Sequence, residues 1–269
     1  MHPDTLKICF CFPDSIVKNR RTFIDALIRN IQLDKNIGYA GYSHKKYLHE
    51  DLTHRFDVND IQKYQPLSIE NQKEIERVIR LTIRRCSKKL SSTTIPIVIF
   101  IFPWFPGKKE KEFGGVNGFT PYKNTFNLFI SPSEFSTQSL RETVAHELNH
   151  AILFNYFPSK QTLLDSIISE GLAENFREEV MKGMRAPWSR ALTAKETQKI
   201  FTELKPLLNR YDLYEEVFWN GSKYRKWAGY SIGYNIVKSF RKKNSKLTWK
   251  EIMKMKSQEI FNMSQFIKK

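Results

Sequence analysis

Long apolar runs are absent from this 269-residue chain. A helix needs about 20 consecutive apolar residues to cross a bilayer. The strongest run, Ile95–Phe105 (IPIVIFIFPWF), is far shorter, contains prolines and reads as a buried strand, so no membrane span is expected. Cysteine is scarce. Cys9, Cys11 and Cys86 have neither the paired spacing of a zinc finger nor the even count of a disulfide framework, and they read as small hydrophobes in a reducing compartment. The first residues (MHPDTLKICFCFPDS) lack a basic n-region, a long apolar h-region and a small-residue cleavage site, which makes the cytoplasm the expected location. Repeats, low-complexity tracts and linker-like Gly/Ser stretches are also missing. This leaves an ordinary globular protein with 41% hydrophobic residues, either one large domain or a small N-terminal subdomain plus a core.

What the chain has in excess is positive charge, a formal +16 at pH 7. Residues 221–269 carry thirteen Lys or Arg against Glu251 and Glu259, and a second basic stretch runs over Arg77–Lys89. Such charge can steer a protein toward nucleic acid, an anionic membrane or an acidic substrate. Lysines outnumber arginines in the C-terminal stretch, and no nucleic-acid-binding signature accompanies them, so a solvated lysine-rich surface is the simpler reading.

Chemistry enters with His146-Glu147-Leu148-Asn149-His150, an HExxH string. On a helix its histidines stand at i and i+4, one turn apart on one face, so both imidazoles can reach one Zn²⁺. Glu147 lies about 100° further round, suited to act as general base rather than as ligand. The surrounding segment Ser139–Phe157 reads as a helix, opened by Ser139 with Glu142 three residues on in a capping-box pattern. Val144, Leu148, Ala151 and Ile152 form its apolar side, roughly opposite the histidines.

No histidine follows His150, which excludes a three-histidine metzincin site. Past a turn at Pro158–Gln161, Thr162–Met181 reads as a second helix with Thr162 and Asp165 near its start. In an antiparallel helix hairpin, Glu170 would face His150 and complete a His–His–Glu set with a fourth position left open for catalysis. Glu174, one turn on, would accept the outward N–H of a ligating imidazole. Asp165 is the alternative third ligand. The competing reading makes Glu170 and Glu174 a solvated face with Glu178 and Glu179.

HELNH, SEGLAENF twenty residues later, and GYSIGYNIV near the C-terminus resemble the YjaZ-like family of predicted Zn-dependent proteases. The wider similarity is to gluzincins, metallopeptidases of the pattern HExxH…E. That resemblance implies a peptide or protein substrate and covers approximately residues 95 to 260. In the aminopeptidase-like branch of that clan, a tyrosine three residues before a glycine hydrogen-bonds the oxyanion, which the resemblance carries onto Tyr230 of Tyr230-Ser231-Ile232-Gly233. Tyr234, one turn along, is the alternative, and an aromatic packing stripe with Trp227 is the plainer one.

Along the chain, Leu6–Phe12 reads as a strand and Val17–Leu33 and Ile69–Leu90 as helices. Ile95–Phe102 and Thr125–Ile130 read as strands around the glycine-rich segment Phe113–Pro121. Either that segment or Thr125–Ile130 could be an edge strand on which a peptide docks, the glycines being otherwise a plain hairpin turn. The C-terminal part divides into helices Ala194–Leu208, Trp227–Arg241 and Thr248–Phe261. The expected fold is therefore α+β, and with the resemblance gluzincin-like: a small sheet, then a zinc-binding helix pair, then a helical C-terminal region. Residues 1–92 would be an α/β cap region and 93–269 the catalytic region. The expected function is zinc-dependent peptide hydrolysis with His146, His150 and Glu170 on Zn²⁺. The second hypothesis is a basic regulatory or nucleic-acid-binding protein whose zinc site is structural or vestigial; a retained Glu147 argues against it.

Overall fold

The structure is a computed structural model and describes residues 6–13, 19–29, 31, 45–56, 58–62, 64, 66–90, 96–105 and 112–266. The expected helix Val17–Leu33 lies partly outside these residues, as does Ile95 of the expected strand. The described residues form two compact units, one within 1–88 and 92–151, the other within 89–91 and 152–269. The architecture is α+β with one small mixed sheet.

The first unit holds the four strands β1 (Leu6–Phe10), β2 (Ile97–Pro103), β3 (Val116–Tyr122) and β4 (Thr125–Ile130) in the spatial order β1-β2-β4-β3. The pairs β1–β2 and β2–β4 are parallel, while β3 pairs antiparallel with β4. Strand β2 has a neighbour on each side and every residue buried, which is why its sequence is a continuous apolar run without alternation. Strand β4 is interior too, and fully buried. Edge position falls to β3, whose Pro121 an edge strand tolerates because a missing N–H there breaks no ladder bond on the open side. The glycine-rich segment thus supplies an edge strand of the sheet among the described residues and is not merely a turn. The β3–β4 turn closes on Asn124 in the left-handed region (φ 63°), and Asn124 N–H donates to the Ala151 carbonyl at 2.8 Å.

Helix α1 (Arg20–Arg29) sends Phe23, Ile24, Leu27 and Ile28 into a core shared with Phe100 and Phe102 of β2. The short helices α2 (Lys45–Arg55) and α3 (Val58–Ile61) add Leu52 and Ile61. Helix α4 (Ile69–Lys89) matches the expected periodicity: Ile75, Val78, Ile79, Ile83 and Cys86 are buried at three- and four-residue steps. Its outer side carries Glu74–Arg77 and Glu76–Arg80 ion pairs. Helix α5 (Thr137–Leu153) starts earlier than expected. Ser136 caps it, its hydroxyl accepting from Ser139 N–H at 3.0 Å and its own N–H donating to the Gly114 carbonyl at 3.1 Å. Ser139 is therefore inside the helix, and Glu142 accepts from Gln138 instead of closing a capping box.

In the second unit α6 (Leu163–Met181) begins as expected. Thr162 and Asp165 form a reciprocal capping box, and Asp165 also accepts from Ser257 Oγ at 2.6 Å. Helix α8 (Ala228–Lys243) crosses α6 at Gly171 and Gly233. A Cβ on Gly171 would stand 2.2 Å from the Gly233 carbonyl oxygen, and one on Gly233 would stand 2.1 Å from that of Ile167. The two backbones touch, which only glycine permits. Asn175 of α6 bridges the contact, donating to the Gly171 and Tyr234 carbonyls at 2.8 and 3.1 Å. Around this pair lie α7 (Ala194–Leu204), α9 (Trp249–Ile252) and α10 (Ser257–Met263), so the expected helix Thr248–Phe261 is two short ones. Among the described residues no helix is long and apolar enough to cross a membrane.

Candidate metal centre

Helix α5 carries the HExxH string with Val144, Leu148, Ala151 and Ile152 all buried, and this fixes which way its other side faces. His146 is half-buried and His150 buried; their Nε2 atoms stand 3.0 Å apart, with the rings inclined at 70°. Two imidazole nitrogens on a tetrahedral Zn²⁺ with Zn–N of about 2.05 Å would be about 3.3 Å apart, so the pair is spaced as shared ligation requires. Glu170 lies on α6 and is buried. One ligand atom of each of His146, His150 and Glu170 lies within 4.8 Å of the others, so these three could hold a metal ion. Two imidazoles and a carboxylate are the donor set of a catalytic zinc site with a position left over. Asp165 is committed to the α6 cap and to Ser257, and it does not join the group.

Glu147 is buried next to His146 in the chain and is held by strand β3. Thr120 Oγ1 donates to Glu147 Oε2 at 2.7 Å and lies 3.1 Å from the Glu147 carbonyl oxygen. A Cβ on Gly118 would fall 2.5 Å from both Cγ and Oε1 of Glu147. Neither Thr120 nor Gly118 was visible as a site residue in the sequence. Threonine is ordinary in a strand and glycine in a turn, and only the approach of β3 to α5 gives them a task.

Glu174 is fully buried, not part of a solvated face. Trp188 Nε1 donates to its Oε1 at 2.9 Å, Ser189 Oγ to its Oε2 at 2.7 Å, and Arg177 pairs with it at 3.2 Å. Such a group of donors is what a buried carboxylate needs to stay ionised. It also fastens the 3₁₀ turn Trp188–Arg190 to α6.

Tyr230, near the start of α8, is buried. Its ring meets Phe218 and Trp219 edge-on at 5.2 and 5.9 Å. Both aromatics come from a π-helical turn, Glu216–Asn220, a rare local geometry that recurs at functional sites. Tyr214, stacked on Phe218 at 4.6 Å, joins them and escaped the sequence reading, since YDLYEEVFWNG has no period or motif. Although the Tyr214 ring is exposed on one side, desolvation around its hydroxyl raises the pKa and the charge of Glu170 adds to this, whereas hydrogen bonds with Trp219 and Tyr230 act the other way. The hydroxyl of Tyr234 is taken by Glu178 and by Lys238, the latter at 2.6 Å. Burial and the bond to Glu178 raise its pKa.

The profile of a family described as "Predicted Zn-dependent protease (DUF2268)" matches residues 75–262, a span that includes α5, α6 and α8. A relative, the uncharacterized protein YjaZ of Bacillus subtilis (strain 168), is 27% identical over 160 residues, 56% of this chain and 60% of that protein. The match thus spans about three fifths of the relative's length. With the profile covering well over half of its residues, the chain belongs to the family of predicted Zn-dependent proteases.

Proposed function

We propose that the protein is a gluzincin-type zinc peptidase in which His146, His150 and Glu170 hold the metal and Glu147 is the general base. The observation that carries this reading is the convergence of the three ligand atoms within 4.8 Å, beside a carboxylate not spent on ligation but held by a hydroxyl. A zinc ion held there would polarise the scissile carbonyl as a Lewis acid and lower the pKa of a water toward ~7. Glu147 takes the proton of the attacking water and later delivers it to the leaving amine. Tyr230 donates its hydroxyl to the developing oxyanion, a contact worth roughly 3 kcal/mol in such sites. Tyr234, whose hydroxyl meets Glu178 and Lys238, is the alternative donor. Glu174, held by Trp188, Ser189 and Arg177, acts behind the ligands as acceptor for the outward N–H of a ligating imidazole. The open side of β3 offers main-chain groups to an extended peptide, which would add to the sheet as a further strand.

The test joins metal analysis of the purified protein to cleavage of a fluorescence-quenched peptide library. About one zinc per chain is expected in the wild type. Glu147→Gln should keep it and lose hydrolysis by several orders of magnitude, while His150→Ala should lose the metal itself. Equal metal loss in both variants would contradict the division into ligand and base. Zinc-loaded wild type that cleaves nothing in the library would contradict the peptidase reading.

A further inference from the structure

We propose that Thr120 is the positioning residue for the general base, its hydroxyl fixing the carboxylate plane of Glu147 from the edge strand β3. The inference rests on the reading of Glu147 as base and adds a residue that neither the motif nor the family match singles out.

Successive side chains of a strand point to opposite faces, so Gly118 and Thr120 share one face and Phe119 takes the other. Phe119 is 39% exposed and lies under the Arg55 guanidinium, 4.9 Å from the ring centroid. Thr120 is 8% exposed, and both of its acceptors belong to one residue: Glu147 Oε2 at 2.7 Å and Glu147 O at 3.1 Å. A hydroxyl has a single proton, and the shorter, charge-assisted contact to the carboxylate takes it. Gly118 completes the clamp. Oε2 is gripped by Thr120, and the remainder of the carboxyl lies against backbone where even a methyl group would be 2.5 Å from Cγ and Oε1. A glutamate otherwise turns about three side-chain bonds, and a base must be held to within about 0.5 Å and 10–20° of its productive pose. Thr120 restricts that freedom from a strand on which the substrate itself is proposed to lie. If the threonine instead merely satisfied its own buried hydroxyl, removing that hydroxyl would disturb stability and leave turnover intact.

The experiment compares Thr120→Val, which keeps the shape and loses the hydroxyl, with Thr120→Ser, which keeps the hydroxyl. Both are made in the full chain and loaded with zinc. Against the same quenched peptides, Thr120→Val should retain about one zinc and a KM within about twofold of wild type while kcat falls about 10- to 100-fold. Thr120→Ser should stay within about threefold in kcat. A readout independent of turnover is a double-mutant cycle of Thr120→Val with Glu147→Leu, followed by urea unfolding of the metal-free protein. The two changes should be non-additive by about 3- to 30-fold in the unfolding equilibrium constant. An additive cycle, or undiminished kcat in Thr120→Val, overturns the inference and leaves the peptidase reading standing. A non-additive cycle in a zinc-loaded protein that cleaves nothing supports the Thr120–Glu147 pairing and overturns the peptidase reading instead.

Discussion

Gly118 is a single position at which the absence of a side chain makes room for the Glu147 carboxyl. Gly→Ala in a strand would ordinarily restrict the unfolded chain and give a small gain. Here the added methyl meets Glu147 at 2.5 Å, and this buried carboxylate cannot swing away without abandoning Thr120. Gly118→Ala is therefore expected to lower kcat by at least about 100-fold while destabilising the fold by only about 1–3 kcal/mol, the usual cost of overpacking. Peptide cleavage and urea unfolding, measured side by side, check this; a variant with wild-type kcat would show that the carboxylate has room after all. The cysteines, two of them buried and Cys9 partly so, illustrate the opposite case of reactive groups held inert. Burial raises the pKa of all three thiols, Cys86 to about 12, so at neutral pH they are neutral hydrophobes.

At the scale of elements, the α6–α8 crossing sets the position of Glu170, whose neighbour Gly171 is the contact point. Two opposed effects bear on Gly171→Ala. Helix propensity favours alanine by about 1 kcal/mol, but the new Cβ would sit 2.2 Å from a backbone carbonyl oxygen that cannot rotate aside. The clash wins, and a net loss of about 1–3 kcal/mol is expected in urea unfolding, together with weaker zinc binding. A neutral or stabilised Gly171→Ala would show that the helices separate at little cost. Elements whose signal is local were legible in the sequence: α4 from its apolar period, the α6 start from Thr162 and Asp165, and the His146–His150 pair from four-residue spacing. The start of α5 was misread because Ser136 and Ser139 offer the same cap chemistry; the Gly114 carbonyl, distant in sequence, decides between them. The single C-terminal helix expected over Thr248–Phe261 breaks because Thr248–Glu251 and Lys256–Glu259 each start a helix of their own. Thr120 and Gly118 could not be read, since both meet Glu147, 27 and 29 residues along the chain, and Tyr214 could not because its aromatic neighbours lie in a turn without period or motif.

For the whole molecule, the charge balance determines the response to acid. Hydrogen bonds from their own capping threonines lower the pKa of Glu196 and Glu251, and the Lys223 N–H and Ser222 do the same for Glu216. At Glu179 burial works against ionisation, but Lys89 and Arg241 outweigh it and the pKa falls. A carboxylate whose folded pKa is below its unfolded value of about 4.5 contributes stability above that pH, and the contribution disappears as pH drops through the folded value. The formal charge of +16 grows more positive over the same range and adds repulsion. Tm should therefore hold from pH 7 to about 5 and fall steadily below about 4.5. A Tm that stays level or rises between pH 4.5 and 3 would mean that these carboxylates contribute nothing.

The parallel pairing of β1 with β2 also places a constraint on time. Leu6 finds its register partner at Ile97, about ninety residues later, and closing so long a loop is slow compared with forming a helix or hairpin. During synthesis at about 5–20 residues per second, β1 waits roughly 5–20 s for the strand it needs. The arrival of β2 is followed within some thirty residues by β4, its other neighbour, so the most apolar strand has partners at hand almost as soon as it is made. A chain refolding from denaturant has no such order. There β2 can expose an unpaired apolar edge to other copies before β1 closes, so the ribosome's direction of travel is itself a safeguard against aggregation for this topology.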